Sequence, residues 1–181
     1  FRSGLADNMF RGLSPWLNRL PGRLLHTNII GSGMFAAVCG SSAATCATVG
    51  KMTLPELERR GYDSNMAIGT LASASTLGLL IPPSIVLIVY GVVTEQSISR
   101  LFMAGIGPGL MILALFMAYL VLWALLKGNR DGLTGADESD MSFAEKLRNT
   151  WALVPILLLI GGIIVSIYGG LASPTEAAAV G

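Results

Sequence analysis

The sequence predicts an all-α integral membrane protein, a multi-pass helical bundle that carries a re-entrant helical hairpin and a discontinuous helix. Three observations predict it. The 181 residues are 52% hydrophobic and only 13% charged, against roughly 25% charged residues in soluble domains. The charges leave four long uncharged blocks, at 27–50, 64–94, 101–126 and within 149–175, each long enough for the ~20 residues that cross a bilayer. Two of those blocks hold small, polar and helix-breaking residues where a lipid-facing helix has no use for them: "GSSAATCAT" from Gly40 and "LGLLIPPS" from Leu77.

The elements follow in order. Residues 1–26, with Arg2, Arg11, Arg19 and Arg23 and with Pro15 and Pro21 as interruptions, read as an amphipathic arm lying in the membrane interface. His26, the single histidine, has no partner set for catalysis and is assigned no role.

Residues 27–50 read as the re-entrant hairpin, and charge distribution decides it. If this block crossed the membrane, the twelve Lys and Arg residues would divide five to seven between the two faces. If it turns at 40–43 and returns, while each later block crosses once, eleven fall on one face and only Arg100 on the other. Positive residues concentrate on the cytoplasmic side, so the hairpin is the better topology. Each arm is then ~12 residues or ~18 Å long, which puts the tip near mid-membrane.

Residues 51–63, "KMTLPELERRGYD", read as a cytoplasmic surface helix beginning at Pro55 and ending at Gly61. The block 64–94 would form a helix of ~46 Å, too long for a simple span. Pro82 and Pro83 cannot both continue it, and Gly78 weakens it. A broken helix results: 64–76, an unwound stretch at 77–83, then 84–93. Residues 101–126 and 149–175 read as ordinary transmembrane helices, with Trp123, Trp151 and Tyr168 as interfacial anchors. Between them, 127–148 is a polar cytoplasmic loop in which Ser142 and Glu145 form a capping box. Residues 176–181 read as the start of a next helix. Because the chain starts at Phe1 and stops inside an alanine-rich segment, it is expected to be an internal piece of a longer protein.

Irregular backbone at membrane depth is tolerated only inside protein or along a cavity, so a hairpin tip and a helix break at one depth point to one site. Such breaks expose carbonyls and helix-dipole ends, which with Ser and Thr hydroxyls can hold a hard cation, while half-helix N-termini attract carboxylates. Ser41, Ser42 and Thr45 lie at the tip; Ser75, Thr76 and Ser84 bracket the break. No Asp, Glu, Lys or Arg lies within the four blocks. That favours sodium over protons, since proton coupling needs an ionisable intramembrane residue. Each feature alone has a plainer reading: "GSSAAT" as a small-residue packing surface, Pro-Pro as a kink. Cys39 and Cys46 have no metal-ligand spacing and read as small buried thiols. A net charge of +1 gives no support to a nucleic-acid partner.

Taken in order, "GMFAAVCGSSAATCATVGKMTLPELERRGYD", "LASASTLGLLIPPSIVLIVYGVVTEQSISRLFMAGIGPGL" and "SPTEAAAVG" resemble the large, DctM-like membrane (permease) subunit of TRAP transporters, the tripartite ATP-independent periplasmic carriers. The resemblance covers nearly the whole chain. It implies a bacterial inner-membrane, sodium-coupled symporter, not an enzyme, importing organic acids such as C4-dicarboxylates, keto acids or sialic acid. It implies one inverted-repeat half of an elevator-type fold. A small membrane subunit and a periplasmic substrate-binding protein are the implied partners, and Na+ is the coupling ion with no other cofactor.

Carried over by position, the resemblance gives the sodium site Gly40, Ser41, Ser42 and Ala43 from the tip and Thr76, Gly78 and Pro82 from the break. It gives the substrate Ser41, Ser42, Thr45 and Ser84. Cys39 and Cys46 stand where the family pattern has small residues such as Ser and Ala, a change that preserves size. Two other readings compete. One is a sodium-coupled anion or dicarboxylate symporter of related architecture that works without a binding protein. The other is an intramembrane serine hydrolase using Ser41 or Ser42, which lacks a base. A passive scaffold would leave the two breaks unexplained.

Overall fold

The computed structural model describes residues 12–13, 15–17, 20–126 and 150–169, and every described element is helical. The order is α1 (Leu24–Cys39), α2 (Ser42–Arg59), α3 (Ser64–Ser75), a 3-10 turn (Thr76–Leu79), α4 (Ile85–Val93), α5 (Ile98–Leu126), a 3-10 turn (Trp151–Leu153) and α6 (Val154–Tyr168). Most of the arm's N-terminal half, the whole 127–148 loop with its Ser142 cap, and residues 170–181 lie outside the described residues.

Helices α1 and α2 form a tight antiparallel hairpin. Gly40 ends α1 in the left-handed region at φ 59, its N–H bonding Ala36 O at 2.8 Å. Ser41 is extended, and its Oγ accepts the Ala44 N–H, starting α2 as an N-cap. The turn is therefore two residues long; Ser42 and Ala43 already belong to α2. The arms are longer than the sequence pattern predicts, 16 and 18 residues or about 24 and 27 Å. The second arm does not end at Gly50. It runs through Pro55, which lies inside the helix rather than at a helix start. Pro55 and Lys51 are both on the exposed side, where solvent can take up the Lys51 carbonyl that the proline leaves without its helical donor.

Helix α3 then returns alongside the hairpin. Asp63 caps it, accepting from Asn65 N at 2.8 Å and Met66 N at 3.1 Å. Hydroxyls bond back to the preceding turn near its end, Ser75 Oγ to Leu71 O at 2.7 Å and Thr76 Oγ1 to Ser73 O at 2.6 Å. The helix tightens into the 3-10 turn, the chain bends through Pro82 and Pro83 (joined by a cis peptide), and α4 begins after Ser84.

The core is a cluster in which Leu24, Leu25 and Ile29 of α1 meet Leu57 and Tyr62, Ala67 and Ala74 of α3, and Leu120 of α5. A second cluster joins Phe102 of α5 to Ile163 and Ile167 of α6. Among the described residues, α5 is the helix long and apolar enough to cross a membrane; α1 and 157–168 are shorter apolar helices. Much of α5 presents bare apolar side chains, among them Leu110, Leu115 and Leu122.

Candidate functional site

The hairpin tip and the interrupted helix meet. The Ile85 N–H, at the start of α4, donates to Gly40 O at 3.1 Å. A Cβ on Gly40 would collide with the Pro83 carbonyl oxygen, and one on Gly78 would lie 3.1 Å from Ser42 N and 3.2 Å from Ser41 C. Two glycines thus let two stretches of main chain touch, closer than any side chain permits. The break is backed on its other side by Gly105 of α5, where a Cβ would come within 2.6 Å of Leu80 O.

The predicted site residues fall into two groups. Gly40, Ser41, Ser42 and Gly78 come together at this junction, and Ser84 immediately precedes the cross-linking Ile85 N–H. Thr76 is exposed, with its hydroxyl turned back to Ser73 O. Ala43 is exposed in the first turn of α2. Thr45 is fully buried, and both its N–H and its Oγ1 donate to Ser41 O, at 3.0 and 2.8 Å. Ser84 is fully buried, with Oγ donating to Leu79 O at 2.9 Å. Thr45 and Ser84 therefore brace the two turns. Among the described residues the half-buried Ser42 hydroxyl has no hydrogen-bond partner, and the half-buried Ser41 Oγ accepts one long bond from Ala44 N, at 3.4 Å.

Pro82 faces the other way. With Ile81, Pro83, Ala37, Phe102 and Ile163 it helps line an apolar cavity of about 150 Å³ between the break, α5 and α6. That cavity offers hydrocarbon rather than oxygen and is a poor place for an ion or a carboxylate.

The electrostatics of the junction come from dipoles: the tip, 40–45, and the break, 75–85, contain no Asp, Glu, Lys, Arg or His. Helix α2 starts at the tip and α4 starts at the break, so two helix N-termini lend partial positive charge there. Gly40 O, which accepts one hydrogen bond, keeps a second lone pair as an oxygen donor, whereas Ser41 O already accepts two from Thr45. The set is one of neutral hard oxygens. The described residues include no grouping of His, Cys, Asp or Glu fit for a metal. Cys39 and Cys46, which flank the tip, are half-buried rather than buried. His26 lies at the opposite end of α1 from Ser41, fully buried, with Nε2 2.6 Å from Pro21 O and Nδ1 3.1 Å from Met117 Sδ. It cannot act as a base for either tip serine.

Sequence reasoning named Pro83 only as a helix breaker, not for its carbonyl facing Gly40, and did not single out Ile85, whose N–H makes the cross-link. A main-chain donor carries no residue-type signal; only the position after Pro-Pro-Ser marks it.

With this geometry in view, comparison with known proteins is decisive. The whole chain, residues 1–181, matches the family described as tripartite ATP-independent periplasmic transporter, DctM component. The chain belongs to this family. Among curated relatives of the DctM component, the ectoine/5-hydroxyectoine TRAP transporter large permease protein of Ruegeria pomeroyi is 39% identical, over 96% of this chain and 41% of its own length. The C4-dicarboxylate TRAP transporter large permease protein of Vibrio cholerae is 33% identical, over 98% of this chain and 38% of its own. The sialic acid TRAP transporter permease protein of Haemophilus influenzae is 34% identical, over 98% of this chain and 28% of its own. The chain thus spans about two-fifths or less of the lengths of these relatives. DctM components are parts of transporters rather than enzymes.

Proposed function

We propose that this chain is the tip-and-break portion of the large permease subunit of a sodium-coupled TRAP transporter, importing organic acids across the bacterial inner membrane. The observation that carries the reading is the main-chain junction itself, Ile85 N–H to Gly40 O with Gly78 pressed against Ser41–Ser42. An oxygen-rich, charge-free meeting of two helix breaks is what a neutral-donor cation site needs.

In this reading the hairpin is re-entrant. Its first arm, about 24 Å long, is shorter than the ~30 Å hydrocarbon core, and its charged ends, Arg23 and Lys51 to Arg60, share the cytoplasmic face. The sodium ion sits among Gly40, Ser41, Ser42 and Ala43 of the tip and Thr76 and Gly78 of the break, mainly on backbone carbonyls; Pro82, whose ring lines the apolar cavity, could offer only its carbonyl. The hydroxyls of Ser41 and Ser42 meet the substrate, while Thr45 and Ser84 shape its walls. The α2 and α4 N-termini favour a carboxylate there. That no intramembrane arginine is present fits delivery of a preselected acid by a periplasmic binding protein. A small membrane subunit completes the assembly, and the unit works as one half of an elevator. Relatives named for dicarboxylate, sialic acid and ectoine transport support a class of small carboxylate-bearing substrates.

The test is uptake of candidate organic acids by proteoliposomes containing the full-length complex, with and without a sodium gradient. Sodium-dependent uptake is expected, and Ser42→Leu should abolish it while membrane insertion persists. Uptake indifferent to sodium would overturn the coupling; unchanged transport by Ser42→Leu would remove the tip from the site.

A further inference from the structure

About 18 Å from the tip along α1 (12 residues at 1.5 Å each) lies a polar cluster that the transport site does not use. Asn28 is fully buried. Its Nδ2 donates to Ala67 O at 3.2 Å and to Thr70 Oγ1 at 3.1 Å, both on α3. Its Oδ1 accepts from Thr53 Oγ1 of α2 at 3.0 Å. Thr53 is 1% and Thr70 8% exposed, and the Thr70 hydroxyl donates in turn to Met66 O or Ala67 O, at 2.8 and 3.0 Å. One amide thus binds the three helices that carry the tip and the break. Thr53 and Asn28 stand at equal removes from the Gly40–Ser41 turn, so the bond also fixes the register of the two arms.

Leu25, Ile29, Leu57 and Tyr62 also pack this base, and the satisfied buried amide adds a single hydrogen-bonded arrangement of the three helices. The lever is long. A tilt of about 5° at Asn28 displaces a point about 18 Å away by about 1.5 Å, enough to break a 3.1 Å hydrogen bond between Ile85 and Gly40.

We propose that Asn28 is a positioning residue: by locking α1, α2 and α3 together at the hairpin's base, it fixes how the tip meets the interrupted helix, and thereby sets the affinity of that junction for its ion. The effect on transport rests on the sodium-coupled reading above; the effect on the junction does not.

The experiment uses the full-length transporter with Thr53→Val and Asn28→Asp, and with Ser32→Ala as control. Ser32, one turn toward the tip from Asn28, carries a buried hydroxyl that has no hydrogen-bond partner among the described residues, so its removal should change nothing. Thr53→Val leaves Asn28 Oδ1 unpaired, and Asn28→Asp removes both donors to α3. In proteoliposomes, each of the two should raise the half-saturating sodium concentration at least fivefold, with the maximal rate of correctly inserted protein within twofold of the parent. A merely structural role would lower the maximal rate or the yield and leave half-saturation in place, and that result overturns the proposal. Hydrogen exchange of the Ile85 amide is read in parallel. At least fivefold faster exchange in Thr53→Val, and none in Ser32→Ala, is expected whichever ion is coupled. Unchanged Ile85 exchange overturns the clamp; faster exchange in a transporter indifferent to sodium overturns the coupling instead.

Discussion

Gly40 meets two constraints at once, a backbone angle of φ 59 and a neighbouring carbonyl, Pro83 O, lying where a Cβ would go. An L-residue in the left-handed region costs roughly 1–2 kcal/mol, and the collision with main chain cannot be relieved by turning a side chain. Gly40→Ala is therefore expected to eliminate ion-dependent transport in an inserted protein, measured as uptake per inserted molecule; activity near the parent's would show that the tip can withdraw from the break freely. Ile85→Pro isolates the cross-link more finely. Ile85 is the first residue of α4, its side chain is 54% exposed, and Ser84 is already extended at φ −117 and ψ 127. Proline fits the first helical position and its extended predecessor, but its Cδ takes the place of the hydrogen that points at Gly40 O, so the substitution deletes the bond and also pushes the tip away from the break. One hydrogen bond is worth about 1 kcal/mol net, or about fivefold, so half-saturating sodium should rise by at least that much. An unchanged value would make the bond incidental. At this scale the sequence was informative wherever residue type mattered: glycines, hydroxyls and the Pro-Pro pair marked the junction. It was silent on Ile85 and on the part played by the Pro83 carbonyl, since those contributions are main-chain atoms common to all residues.

Among elements, the interruptions that glycine and proline mark were readable and the helix ends set by packing were not. The turn at Gly40 and an interruption between Ser75 and Ser84 follow from composition and from proline chemistry, whereas the charge-free block 27–50 gave neither the start of α1 at Leu24 nor the end of α2 at Arg59. The run of α2 through Pro55 was not readable either, because a proline on an exposed face costs a helix less than one facing the core. The Asn28 cluster escaped for a similar reason. Asn28, Thr53 and Thr70 are visible as polar residues, but that they face one another depends on the rotation of three helices. The cytoplasmic end of α2 offers a pH test. Burial pushes the Glu56 carboxyl up, but hydrogen bonds and charge from Arg60 and then Arg59 more than offset it, leaving its pKa below the ordinary value. A carboxyl depressed in the folded state stabilises it above the unfolded pKa, ~4.3, and that stabilisation is lost as pH falls through the lower folded value. The melting temperature of the full-length protein should thus fall more steeply below about pH 4.3 for the parent than for Glu56→Gln. Parallel curves would mean that the Arg pair holds nothing in place.

For the molecule as a whole, the account stands on the way two interruptions converge. The antiparallel arms carry Arg23 and Arg59 to one end and Gly40 to the other, and α3 climbs beside them to bring Gly78 to the same point. Fold class was legible because uncharged length and helix-breaking residues report directly on what lipid permits. The bundle's assembly was less so, since α5 rests on glycine approaches and α6 on interlocked aliphatics that any apolar helix could supply. The most direct measurement is accessibility labelling of single cysteines at Arg23→Cys and Arg59→Cys, in a full-length transporter cleared of Cys39 and Cys46, with a membrane-impermeant thiol reagent. Both should be protected in intact cells and react together once the cytoplasmic face is opened. Labelling of one from outside and the other only from inside would mean that the chain crosses between them, and the convergent junction could not sit within the membrane as described.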